Sequence, residues 1–204
     1  MADLPVSLDP DLAEQLERAL DVERKIPRAL DALGPVAERD VLMIDGGGVR
    51  AGQLEELRAR VQHAASISET ASRPPESVDV VTGWWSSFRG VDAAEAALVD
   101  RVLRDGGRLL VVHDYGRDDV SRLRGAGLPE YGEWSRREGP FLTRGFRVRV
   151  LHCWWTFDTI EAATSFLTAA FGEAGREVAA GLKRPRLSYN VAVYHRSKGE
   201  QGTA

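Results

Sequence analysis

The chain reads as an α/β protein, and three stretches predict it. Arg101-Val-Leu-Arg-Asp-Gly-Gly-Arg-Leu-Leu-Val-Val112 has the wording of a helix end, a two-glycine turn and a buried strand. Gly106 and Gly107 can take the positive φ angles that stop a helix. Leu109 to Val112 is a short continuous apolar run of the kind that parallel sheets bury on both faces. Val41-Leu-Met-Ile44 and Val78-Asp-Val-Val81 are two further strand signals, the first leading into Asp45-Gly-Gly-Gly48. Strands that alternate with helical segments build βαβ units.

Taken in order, residues 1–7 are expected to fray. Ser7 to Asp11 offers N-cap chemistry, and Leu12, Leu16, Ala19 and Leu20 recur at helical spacing, which predicts a helix over about 9–24. Ile26, Leu30 and Leu33 continue a second apolar face, with Pro27 acceptable only in a first turn. After the Val41 strand, Leu54, Leu57 and Val61 predict a helix over 53–62, followed by a weak edge strand near Ala64 to Ser68. A helix over 92–103 then precedes a strand over 108–112, and 118–123 has room for one or two helical turns. Gly, Pro and charge over 124–145 predict a long irregular segment. Arg147 to His152 alternates as a half-buried strand, Thr159 to Phe171 is helical, and Ser188 to Tyr194 alternates as the last strand. The whole is expected to be one domain over 1–204: helices over 1–38, a core over 39–196 and a disordered tail over 197–204.

The 204 residues carry a net charge of −4, which gives no electrostatic reason to expect nucleic acid. Cys153 is the only cysteine, so no intrachain disulfide can form, and between His152 and Trp154 it reads as a packed thiol. No window approaches the ~18 apolar residues of a membrane span, and the N-terminus lacks a signal-peptide pattern. The expectation is a cytoplasmic protein that does not meet a membrane. His63, His152 and His195 with Cys153 match no zinc spacing, so no metal site is expected.

Several blocks, in the right order, resemble the class I S-adenosylmethionine (SAM) dependent methyltransferases, of the methyltransferase type 11 kind. Arg39-Asp-Val-Leu-Met-Ile-Asp-Gly-Gly-Gly48 is similar to the first strand and its glycine-rich loop. Pro74-Pro-Glu-Ser-Val-Asp-Val-Val81 is similar to the approach to the fourth strand, and Arg101 to Val112 to the fifth strand and its preceding helix. Trp155 to Ala163 is similar to the entry of a late helix, and Tyr189 to Tyr194 to the closing strand. The resemblance implies a Rossmann-like, mostly parallel sheet with an antiparallel last strand, binding SAM outside the carboxyl ends of the strands.

Two departures stand out. The family's first motif is an acid, one residue, then Gly-x-Gly-x-Gly; either register over Met43 to Ala51 keeps one of the three glycine positions. Between Asp45 and Val78 one helix–strand unit is expected to be missing, and with it the strand that ends in the ribose-binding acid. Glu69 is the nearest acid in that neighbourhood, and Ile67-Ser68 stands where the family tends to place an adenine-contacting pair.

The resemblance places a cofactor site at Asp45, Gly46, Gly47, Gly48, Glu69, Gly83 and Trp84. Two adjacent tryptophans cannot both face inward on a strand, so one of Trp84 and Trp85 is expected in the cleft or on another element: either packed on an adenine or on a flat or cationic substrate, or covering an apolar gap left by the missing unit. Trp85, Tyr115 and Trp134 are the expected substrate contacts, and His113 has the intrinsic pKa of a general base. Trp134, Phe141 and the Trp154-Trp155 pair are expected to pack in the core, with an apolar pocket or a homodimer surface as the alternative. The implied function is a small-molecule SAM-dependent methyltransferase; the alternative is a catalytically inactive relative that binds another ligand or a partner subunit.

Overall fold

The computed structural model describes residues 4–125 and 127–200. Asp9 caps the first helix, α1 (Pro10–Ala19), by accepting from the Leu12 N–H at 3.1 Å. Its apolar stripe ends in Leu16 and Ala19, both buried. Asp21, in the left-handed region at φ 56, then receives the Lys25 and Ile26 N–H groups at 2.9 and 2.7 Å, and so starts α2 (Lys25–Leu33). Pro27 falls in the first turn of α2, where no N–H is missed.

The sheet has six strands: β1 (Asp40–Ile44), β2 (Arg60–Ala64), β3 (Val78–Trp84), β4 (Leu103–Asp114), β5 (Arg147–Thr156) and β6 (Arg186–Ser197). Their order is β2-β1-β3-β4-β6-β5. β2, β1, β3 and β4 run parallel, and β6 lies antiparallel between β4 and β5. Val41 to Ile44 are fully buried because helices cover both faces of this central strand. One face packs on α1, α2, α3 (Gly48–Glu55), α5 (Asp119–Arg124) and α6 (Ile160–Ala180), through Leu16, Leu30, Leu54, Val120 and Phe166. The other packs on α4 (Ala93–Val102), through Val99 and Val102, and on Trp134, Phe141 and Phe146 from the irregular segment.

Between β1 and β3 there is one helix and one strand, so the expected shortening is present. The strand retained is the neighbour of β1, with Ile44 opposite Ala64. It ends on Ala64-Ala65, so the acid rather than the strand is what this position lacks.

Other expectations shift by several residues. α3 begins at Gly48 and not near Gln53, and β2 replaces the last part of the predicted helix, because the chain turns back at Arg58, which takes φ 67. The predicted strand over Ala64 to Ser68 is instead the end of β2 and a 3-10 turn over Ile67–Ser72. Gly106 and Gly107 do not sit between helix and strand. Leu103 already pairs with Val78, and Arg108 pairs with Val80, so 104–107 form an excursion inside β4. Gly106 takes φ 76 there, and a Cβ on Gly107 would stand 2.8 Å from the Arg104 carbonyl oxygen.

Two segments expected to be loose are placed. Leu4, Val6 and Leu8 pack against the core on the α1 side. Ser197 closes β6, and the Lys198 N–H donates to the Gly107 carbonyl at 2.9 Å. The rest of the expected tail, 201–204, and residues 1–3 lie outside the described residues. No helix among the described residues is long and apolar enough to cross a membrane.

Candidate functional site

The carboxyl ends of β1, β3 and β4 lie side by side, with Ile44 opposite Gly83 and Gly83 opposite Val111. Every residue named from the resemblance emerges along this edge or from the segments after it. Asp45 ends β1 at φ 52, and its N–H is fixed to the Ala64 carbonyl at 2.8 Å. Gly46 offers its carbonyl oxygen to His63 Nδ1 at 3.1 Å. Gly47 is extended and buried at the start of α3, and Gly48, at φ 51, is exposed. Glu69 is exposed on the 3-10 turn beyond β2, where its carboxylate turns back to accept from the Ala65 N–H at 2.9 Å.

Gly83 lies inside β3, and the chain after it folds back so closely that a Cβ there would stand 3.0 Å from the Phe88 ring and the Ser86 hydroxyl. Trp84 is fully buried on the α1 side of the sheet. Trp85 leaves the strand at φ 49, a left-handed turn that swings its ring to the same side, 6.1 Å from that of Trp84. The alternation expected of adjacent strand residues is broken by that single turn. The Arg50 guanidinium carbon lies 5.9 Å from the Trp84 ring and 5.6 Å from that of Trp85, with Nη1 donating to Gln53 Oε1 at 3.2 Å.

Along β4, His113 and Asp114 point to opposite faces, as neighbours on a strand must. His113 meets the edge of Trp134 at 4.9 Å between ring centres, and Arg89 stacks on Trp134 at 4.5 Å. Burial, with Arg89 nearby, lowers the His113 pKa to about 3. The ring is therefore neutral at any working pH, and Nε2 has no hydrogen-bond partner among the described residues. A base with so low a pKa takes up a proton poorly.

Asp114 is the hub of this strand end, a role that nothing in its residue type or spacing announces. It receives Trp85 Nε1 at 3.0 Å, the Tyr189 hydroxyl, the Arg124 guanidinium and, at 3.4 Å, the Tyr131 hydroxyl. Burial lifts its pKa to about 6 against the pull of Arg124 and Tyr189. Tyr115 begins the next turn, its N–H on the Asn190 carbonyl at 2.9 Å and its ring 5.7 Å from Arg117.

Four of these residues converge. A cleft of about 200 Å³ is lined by Trp85, His113, Asp114 and Trp134 together with Arg89 and Arg124. Tyr115, Asp45, the three glycines, Glu69, Gly83 and Trp84 do not line it. Trp154 and Trp155 part company, Trp155 fully buried beside Phe166 and Trp154 under Arg186 at 4.1 Å.

No protein-family model matches the chain, and no curated protein does either. Its structural likenesses include a methyltransferase. One solved structure, described as a type II methyltransferase from Anaeromyxobacter dehalogenans, superposes with a TM-score of 0.56 at 20% identity, covering 85% of this chain and 95% of that one. The YcgJ protein from Bacillus subtilis is more loosely similar, with a TM-score of 0.47 at 16% identity over 86% of this chain and 98% of its own. With a parallel core closed by an antiparallel strand, the chain has a Rossmann-like fold, shared with the type II methyltransferase on which it superposes.

Proposed function

We propose that the chain is a small-molecule SAM-dependent methyltransferase that holds SAM at the Asp45–Gly48 loop and its methyl acceptor at the cleft of Trp85, His113 and Trp134. The observation that carries this reading is the adjacency of the β1 and β3 carboxyl ends, which sets a three-glycine loop and a helix start beside an aromatic cleft. The loop fits the amino-acid end of such a cofactor. Asp45 is partly exposed at the strand end to meet an ammonium group, and Gly46 to Gly48 put no side chain between a ligand and the first turn of α3. Glu69 serves the ribose hydroxyls once its carboxylate leaves the Ala65 N–H.

When bound, SAM supplies an electrophilic methyl group on sulfur. The chain's own part is to orient the acceptor in line. The Trp85 and Trp134 rings present aromatic surface for a flat acceptor, and His113 lines the same cleft. His113 acts here as a neutral hydrogen-bonding group.

A second reading, a relative of the same fold that binds another ligand or a partner subunit, is favoured by Arg50. Its guanidinium already lies close to the two indoles that a sulfonium cation would seek. Isothermal calorimetry with SAM and with S-adenosylhomocysteine separates the two. The methyltransferase reading expects micromolar binding that Asp45→Ala abolishes, and absence of heat from both ligands would leave only the second.

A further inference from the structure

A groove of about 630 Å³ opens at the far end of the sheet, between α5, the carboxyl end of β5 and the last turns of α6. That volume is in the range of a small-molecule site. β5 is the opposite edge strand from β2, four strand spacings from β1. At roughly 4.8 Å per spacing this is about 19 Å, so the groove is separate from the Asp45–Gly48 loop.

The groove exists because α6 bends. Gly172 takes φ 58 inside the helix, and the following stretch brings Ala174, Glu177 and Val178 over Trp154. The return to β6 is fastened: the Leu182 N–H donates to the Ala179 carbonyl at 3.0 Å, Phe157 to Pro185 at 2.8 Å, and Arg186 to Arg184 at 2.8 Å. Lys183 and Arg184 are thereby held at the mouth.

Charge decides what such a groove takes. Four cations line it, Arg122, Lys183, Arg184 and Arg186, against two acids, Asp119 and Glu177. Asp119 is already committed: its carboxylate receives the Ser188 N–H at 3.0 Å and hydroxyl at 2.7 Å, and it pairs with Arg122 at 3.3 Å. Arg186 is stacked on Trp154. Lys183 and Arg184 are exposed and have no carboxylate partner among the described residues. Beneath them, Val178, Leu182 and Trp154 give an apolar floor.

We infer that this groove is a binding site for a small organic anion, a phosphate or carboxylate carried on an apolar ring or chain. The anion is received by Lys183 and Arg184, and the apolar body lies along Val178, Leu182 and Trp154. Two oxygens of such a head group can meet both cations, and the floor discriminates against a bare inorganic ion.

Calorimetric titration with 1-naphthyl phosphate tests it, with inorganic phosphate and 1-naphthol as separate arms. The expected result is saturable binding of the aryl phosphate, at least tenfold tighter than either fragment, that weakens at least tenfold in the surface variant Lys183→Ala/Arg184→Ala. Val178→Asp should weaken it similarly by placing a carboxylate on the floor. SAM titrations of the same proteins should be unchanged, which keeps this site apart from the proposed cofactor loop. Equal affinity for inorganic phosphate, no saturation, or unaltered binding in the double variant would each overturn the inference.

Discussion

Asp114 shows what one residue at a strand end can organise. A carboxylate drawn out of water is costly unless donors surround it, and here two phenols, an indole and a guanidinium do so. Asp114→Asn keeps the shape but sets an amide donor among four groups that all donate, and by leaving buried donors unsatisfied should lower stability by about 1–3 kcal/mol in urea unfolding. The same strand end gives an unusual acid profile. The Asp114 pKa rises from 3.8 to about 6, so its contribution is complete below 3.8 and is lost as pH rises through about 6. For His113, lowered from 6.5 to about 3, the contribution is complete above 6.5 and is lost as pH falls toward 3. Between these limits the two oppose each other. His113→Phe should therefore leave a thermal stability that declines across that interval where the parent is flatter, and matching pH profiles for the two proteins would refute the assignment. The sequence reading expected His113 and Trp85 at this edge. It could not show Arg124 and Tyr189 converging on Asp114, because those partners arrive from 10 and 75 residues away.

At the scale of the element, apolar runs were legible and turns were not. The strands at Val41, Val78 and Leu109 follow from buried residue types alone, because a central parallel strand has no polar face to hide. Boundaries moved wherever a non-glycine residue adopted positive φ, as at Arg58, Asp45 and Trp85, since nothing in those residue types announces the turn. α6 was predicted only to Phe171, and the bend at Gly172 explains the early stop: the apolar spacing loses its phase there. A Cβ at Gly172 would meet nothing within 4 Å, so the strain in Gly172→Ala is purely one of backbone conformation. It should cost about 1–2 kcal/mol and lower Tm by a few degrees in calorimetry. A variant as stable as the parent would mean that α6 straightens at no cost.

For the whole molecule, the lost helix–strand unit leaves β2 as an edge with mostly exposed residues, while β3 and β4 are covered on both faces. Hydrogen exchange should accordingly be fastest in Arg60–Ala64 and slowest in Val78–Trp84 and in 109–112; comparable protection in all three would contradict this layering. The missing unit was legible as a shortage of residues between Asp45 and Val78. Which strand had gone was not, because a strand count does not fix lateral order. The position of β6 between β4 and β5 has a consequence for biosynthesis. The segment that joins the two is the last of the sheet to leave the ribosome, so, apart from a single bridge between Leu20 and Trp155, Arg147–Thr156 has no strand partner among the described residues until 186–197 have been translated. Closure of the fold must wait for residues 186–197, and a polypeptide released before then carries an unzipped strand into the cell.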